Sequence, residues 1–204
     1  MSDISVVIAY FSGYGHTAHL AEAVREGAES IAGTHAQLVD VATIDDDGWQ
    51  ALDEADAIVF GSPTYMGTAA GAFHVFAEAT SGRWMDRSWQ DKIGAGFTNS
   101  GSKSGDKLHT LQYFALLASQ HGMHWISLNL LPGWNTTTAS EFDDNRLGFY
   151  LGAGAATHVD TGVEGMHDAD VSTVRHLGRR VAEQAAVYAR GRAATPDAVE
   201  APPV

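Results

Sequence analysis

Residues 4–17 read Ile4-Ser5-Val6-Val7-Ile8-Ala9-Tyr10-Phe11-Ser12-Gly13-Tyr14-Gly15-His16-Thr17. A nearly all-apolar run enters a short loop of glycines and hydroxyls, and a helical pattern begins straight after it. A strand without polar alternation suits a sheet covered on both faces, as parallel sheets are. In the helix that follows, Leu20, Val24, Ala28 and Ile31 share one stripe, Glu22, Arg25, Glu26 and Glu29 the other, and Gly33 closes it.

The same alternation continues outward. Ala36–Val41 reads as a second strand, and Asp47 as the cap of a short helix through Trp49 and Leu52. Ala57–Gly61 is the third strand. Ala69–Thr80 follows as a helix with Ala69, Phe73, Phe76 and Ala77 inward and Gly82 beyond its end. Ile93–Thr98 is the fourth strand. Asp106 is expected to cap an apolar helix through Leu108, Leu111, Ala115 and Ala118, stopped by Gly122, and His124–Leu130 is the fifth strand. Asp168 or Asp170 opens the last helix, whose stripe is Val171, Val174, Leu177, Val181, Ala185 and Tyr188. Strands alternating with helices imply right-handed crossovers and a doubly wound α/β sheet, with any ligand beyond the carboxyl ends of the strands where their order reverses. Residues 131–167 show no period and read as a long loop with short strands, of the kind that often belongs to a site or a subunit contact.

Composition narrows the chemistry. The 204 residues hold 12 Lys+Arg against 25 Asp+Glu, a net charge of −13, and no cysteine. Thiol nucleophiles, disulfides and cysteine-held metals are excluded, and a nucleic-acid or anionic membrane partner lacks a basic footprint. One domain over 1–192 is expected, with an Ala, Pro and acid tail over 193–204 reading as disordered. The opening Met1-Ser2-Asp3 carries no basic leader, so the expected address is the cytoplasm, and no apolar run nears the ~20 residues of a membrane span. The pairs His16/His19 and His121/His124, and His167 with Asp168 and Asp170, lack a complete ligand set, so no metal is expected.

Three loops are expected on one sheet edge. Ser12 to Thr17 joins a strand to a helix N-terminus, where turned-in N–H groups and hydroxyls suit a phosphate without Lys or Arg. An ordinary glycine-rich turn would read the same way. Ser62-Pro63-Thr64-Tyr65-Met66-Gly67 and Thr98-Asn99-Ser100-Gly101-Ser102 are equally rich in hydroxyl, amide and glycine. Together they suit a phosphate, a polyol chain and a planar polar ring, the parts of flavin mononucleotide (FMN). Gly13, Gly15 and Ala18 with Asp40 also match a dinucleotide fingerprint, although a dinucleotide stretched across the sheet makes less use of the third loop.

Residues 10–17, Gly61-Ser62-Pro63-Thr64-Tyr65-Met66-Gly67, Thr80-Ser81-Gly82-Arg83-Trp84 and Gln120-His121-Gly122-Met123 together resemble the WrbA group of flavodoxin-like NAD(P)H:quinone oxidoreductases, from about Ile4 to Leu130. The resemblance implies a five-stranded sheet of order 2-1-3-4-5 with helices on both faces. It places FMN phosphate on Ser12, Gly13, Tyr14, Gly15, His16 and Thr17. The flavin ring would lie against Pro63, Thr64, Tyr65, Met66 and Gly67, with Asn99, Ser100, Gly101, Ser102, Lys103 and Ser104 from the third loop. His121 would contact the flavin side, Tyr14 the dinucleotide donor and Trp84 the quinone; in the mechanism expected on that basis, Tyr14, Trp84 and Trp134 or Tyr150 are stacking walls and His121 a hydrogen-bond donor or proton source to the quinone oxygen. NADH or NADPH would deliver hydride and leave before a quinone enters, in a homodimer or homotetramer. The chain departs from that group in having Tyr65-Met66 for Arg-Phe and Lys103-Ser104 within a glycine run, so Lys103 is a candidate to stabilise charge on reduced flavin. Without the resemblance, His121 reads as a polar helix-end residue before Gly122, and Trp84 as a surface aromatic. A flavodoxin-type one-electron carrier, docking basic partners through an acidic rim, is the alternative.

Overall fold

The computed structural model describes residues 3–195. The first elements follow the expected alternation: β1 (Ile4–Tyr10), α1 (His16–Glu29), β2 (Thr34–Asp40), α2 (Asp46–Glu54) and β3 (Ala57–Tyr65). Next come β4 (Thr68–Ala69), α3 (Gly71–Ala79), α4 (Ser81–Met85), β5 (Ile93–Ser100) and α5 (Lys107–Gln120). The chain ends with β6 (His124–Trp125), β7 (Ala153–Ala156), a 3-10 turn at Val163–Gly165 and α6 (Asp168–Ala194). The parallel core of the sheet has the spatial order β2-β1-β3-β5-β6. That is the flavodoxin-like order, with the small hairpin strand β4 added beside β3.

Each face of the sheet buries its own apolar layer. Val6, Ile8, Val59 and Ala95 pack with Leu20 and Val24 of α1 and Leu177 and Val181 of α6. Val7, Ile58 and Phe60 meet Leu52 of α2, Phe73 and Phe76 of α3 and Phe114 of α5 on the other side. This two-sided burial is why β1 and β3 carry unbroken apolar runs.

Several local expectations are corrected. Asp45, not Asp47, caps α2, its carboxylate accepting from the Gly48 N–H. His167 occupies the N-cap of α6, its ring accepting from Ala169 N, which leaves Asp168 and Asp170 in the first turn. Asp106 stands at the N-cap of α5 at φ 54 and makes no side-chain cap bond. The inward face there begins with Lys107, while Leu108 is exposed. The helix expected from Ala69 begins at Gly71, Ala69 standing in β4 instead; Gly82 lies past its end as expected, inside the short α4. At the chain's end α6 runs on to Ala194, past the expected boundary at Ala193, and residues 196–204 of the expected tail lie outside the described residues.

The fifth strand is split. Only His124 and Trp125 pair with the amino half of β5, and β7 pairs with its carboxyl half through Phe97↔Ala153 to Ser100↔Ala156. Residues 126–152 between them form an excursion, stapled by Asn145, whose amide donates to the Leu130 and Phe149 carbonyls and accepts from Phe149 N.

Candidate functional site

The carboxyl ends of β1, β3, β5 and β7 bring the site together. The first hollow, of about 640 Å³, is lined by Ser12, Gly13, Tyr14, His16 and Thr17 from the first loop, Pro63, Thr64 and Tyr65 from β3, and Asn99, Ser100 and Gly101 from the end of β5. A second hollow of about 690 Å³ shares Thr64, Ser100 and Gly101 and adds Met66, Gly67 and Ser102. The expected convergence of loops is thus present for all of these residues.

At the first loop, α1 opens on Gly15 with no side-chain cap. Ser12 Oγ accepts from Gly15 N at 3.1 Å and His19 N bonds back to the Gly15 carbonyl. Among the described residues the N–H groups of His16, Thr17 and Ala18 find no acceptor, so the helix start presents donors and its positive dipole end to the hollow. Among the described residues no Lys, Arg, Asp or Glu lines the first hollow. An anion entering it would meet backbone N–H groups and hydroxyls, the donor set that suits a phosphate. His16 Nε2 donates to the Thr161 carbonyl at 2.9 Å, which fastens the loop to the segment after β7.

The second expected loop is an extension of β3 through Tyr65, turned by Met66 (φ 49) and Gly67 (φ 89) into β4. Two left-handed residues between antiparallel partners make a tight hairpin whose twist matches the strands. Tyr65 lies over Gly13, and burial, with Tyr14 beside it, pushes its phenol pKa up. Tyr14 is 83% exposed and stands at the rim. Thr64 and Asn99 are anchored below: Thr64 Oγ1 bonds Thr98 and Thr110, and Asn99 Oδ1 accepts from Thr157.

Other expected residues fall elsewhere. Gly15, Lys103 and Ser104 line neither hollow. The Lys103 ammonium rests 5.0 Å from the Trp134 ring centre. His121 and Trp84 line a separate hollow of about 370 Å³ with Met85 and Gln90. Because β6 starts alongside Ile93, His121 stands at the amino edge of the sheet, and β5 separates it from the carboxyl-edge loops by roughly 23 Å at about 3.3 Å per residue. Within one chain neither residue reaches the first hollow. His121 is buried, packs at a tilt against Trp89 and pairs with Thr80.

The sequence reading missed Thr157, Val159 and Thr161, which line the first hollow, and His158 and Asp160, which line the second. They follow β7, a strand of small residues, Ala153-Gly154-Ala155-Ala156, without the β-branched signature by which the other strands were found. The only available signal was the length of the unassigned stretch.

The chain is similar to known proteins over most of its length. Residues 3–131 match the model of the family described as NADPH-dependent FMN reductase. A relative named Flavodoxin FldP, from Pseudomonas aeruginosa (strain UCBPP-PA14), is 44% identical over 86% of this chain and 94% of its own. A protein of Geotalea uraniireducens named NAD(P)H dehydrogenase (quinone) is 29% identical, covering 92% of this chain and all of its own. Among solved structures, the flavodoxin, WrbA-like protein from Agrobacterium tumefaciens superposes with a TM-score of 0.73 at 42% identity, over 91% of this chain and 99% of that one.

Proposed function

This chain belongs to the NADPH-dependent FMN reductase family, and from that premise we propose that it binds FMN at the carboxyl edge of its sheet and passes hydride from NAD(P)H to a quinone-like acceptor. The observation that carries the reading is the uncharged first hollow, with the unpartnered N–H groups of α1 at one end and the β5 loop at the other.

FMN, when bound, supplies a ring that takes a hydride and releases the two electrons to a second substrate. The chain's own residues do the positioning. The first-turn N–H groups and the Ser12 and Thr17 hydroxyls hold the phosphate. Thr64, anchored to Thr98 and Thr110, and Asn99, anchored to Thr157, keep the floor rigid. Tyr65 and the exposed Tyr14 wall the mouth, where one planar substrate at a time can stack. Donor and acceptor then alternate in one slot.

The roles assigned to His121 and Trp84 require a second copy of the chain, since both stand at the opposite edge. A homodimer or homotetramer in the cytoplasm is the assembly we propose. No helix among the described residues is long and apolar enough to cross a membrane.

The expected result is a yellow protein that releases FMN and oxidises NADH or NADPH steadily with benzoquinone, with parallel double-reciprocal lines. The relative named a flavodoxin, more similar than the quinone dehydrogenases, favours a second reading as an electron carrier. Negligible NAD(P)H turnover by FMN-loaded protein, with dithionite titration resolving two one-electron steps, would select the carrier. Failure to take up FMN at all would refute both.

A further inference from the structure

Lys107 opens α5 and is wholly buried. A cation there faces the positive end of the helix dipole, an unfavourable place for it. Its surroundings are nevertheless built for an ammonium. Nζ donates to Ser100 Oγ at 2.7 Å and to the Ser102 carbonyl at 2.5 Å, with the Ser100 and Lys103 carbonyls each at 3.3 Å. Gly105 (φ 51) and Asp106 (φ 54) turn the chain so that the lysine passes beneath the loop it has just left. A side-chain carbon on Gly105 would lie 2.2 Å from Ser100 Oγ, inside this cage.

A planar trans peptide points its C=O and N–H in opposite directions. The carbonyls of Ser100, Ser102 and Lys103 turn toward the ammonium, so the N–H groups of Gly101, Lys103 and Ser104 turn away from it. Among the described residues those three find no acceptor, and Ser100, Gly101 and Ser102 form the wall of the second hollow. We propose that Lys107 is a positioning residue: its internal ammonium gathers the carbonyls of the β5–α5 loop and thereby aims the loop's amides outward, that of Gly101, on the wall of both hollows, as a donor to the polar edge of the flavin ring. The inference rests on FMN occupying these hollows.

The cage also gives the device a pH range. Burial pushes the ammonium down to about 8, Asp170 opposing and Arg146 adding to the effect. Asp170 and Arg146 pair with each other, Lys103 and Asp106 flank the lysine in the loop, and His158 and Asp160 face the same hollow. FMN is an anion, so its binding favours the charged ammonium. Below pH 8 the affinity is level; above it, binding must also take up a proton, and it weakens.

The test is titration of the apoprotein with FMN by fluorescence quenching from pH 7 to 9, for the wild type and Lys107→Met, with hydrogen exchange of amides 101–104 read in both apoproteins. At pH 7.5 the variant should bind roughly tenfold more weakly, for about one amide hydrogen bond to the ring no longer aimed. Its loop amides should exchange faster. The wild-type dissociation constant should rise several-fold between pH 8 and 9, and the variant's should lack that rise. Equal affinity, exchange and pH profile in the two proteins would overturn the proposal. Should the variant not fold, a level wild-type affinity up to pH 9 would overturn it just as well. A wild type that binds no FMN at any pH refutes the proposed function, while the amide exchange still reports on the cage.

Discussion

His121 donates from Nε2 to Thr80 Oγ1 at 2.9 Å, because the threonine hydroxyl has already given its own proton to the Ala77 carbonyl at 2.7 Å. The ring proton therefore sits on Nε2, and Nδ1 is a buried lone pair without a partner. Burial pushes the imidazole pKa down, so the folded ring stays neutral where the unfolded one, with its ordinary value near 6.5, takes up a proton. The unfolded state thus binds more protons below about pH 6.5, and stability is lost there as the pH drops. His121→Gln should flatten that fall. Urea midpoints between pH 7 and 5 should drop less in the variant than in the wild type, and parallel slopes would contradict it. At this scale sequence reading located His121 beside Gly122 but could not orient it. Lys107 and Leu108 show the same limit: a periodicity argument puts the leucine inside, whereas the left-handed pair Gly105–Asp106 rotates the helix start and buries the lysine.

Among elements, α1 and α6 cross at two glycines. A side-chain carbon on Gly178 would lie 2.0 Å from the Val24 carbonyl, and one on Gly27 1.9 Å from the Arg175 carbonyl. Gly178→Ala should therefore lose about 1–2 kcal/mol of stability, the overlap exceeding the ~1 kcal/mol that alanine gains in a helix. Gly191, in the same helix with nothing within 4 Å of such a carbon, is the control, and Gly191→Ala should gain up to about 1 kcal/mol. Equal effects at the two positions in chemical denaturation would refute the packing argument. The amphipathic stripe of α6 was legible, since Val174, Leu177, Val181 and Ala185 are all buried. Its glycine contact was not, because a close crossing depends on the partner helix. The split fifth strand was hidden for a related reason. His124–Leu130 has the apolar character of a strand throughout, yet the chain leaves the sheet after Trp125 and the vacated place beside β5 goes to β7.

Across the whole molecule, one buried ion pair joins the parts that converge behind the site. Arg146 in the excursion holds Asp170 of α6 through two hydrogen bonds of 2.8 and 2.7 Å, and the same carboxylate accepts from Ala156 N at the end of β7. With side chains 6% and 2% exposed, neither charge has water to fall back on. Arg146→Met should cost about 3–5 kcal/mol, because it strands a buried carboxylate. It should also weaken FMN binding by freeing the segment after β7, which carries Thr157, Val159 and Thr161. A variant of unchanged stability would show that Asp170 is held by other partners. The doubly wound sheet, its two-sided core and the place of the glycine-rich turn between β1 and α1 could be read along the chain, because apolar period, loop composition and helix starts are properties of neighbouring residues. It took the folded chain to settle that β7 completes the pocket, that His121 and Trp84 stand at the far edge and that a lysine lies beneath the β5–α5 loop. Those facts depend on which distant segments share space, and a carbonyl cage or a buried charge pair leaves no periodic trace in the chain.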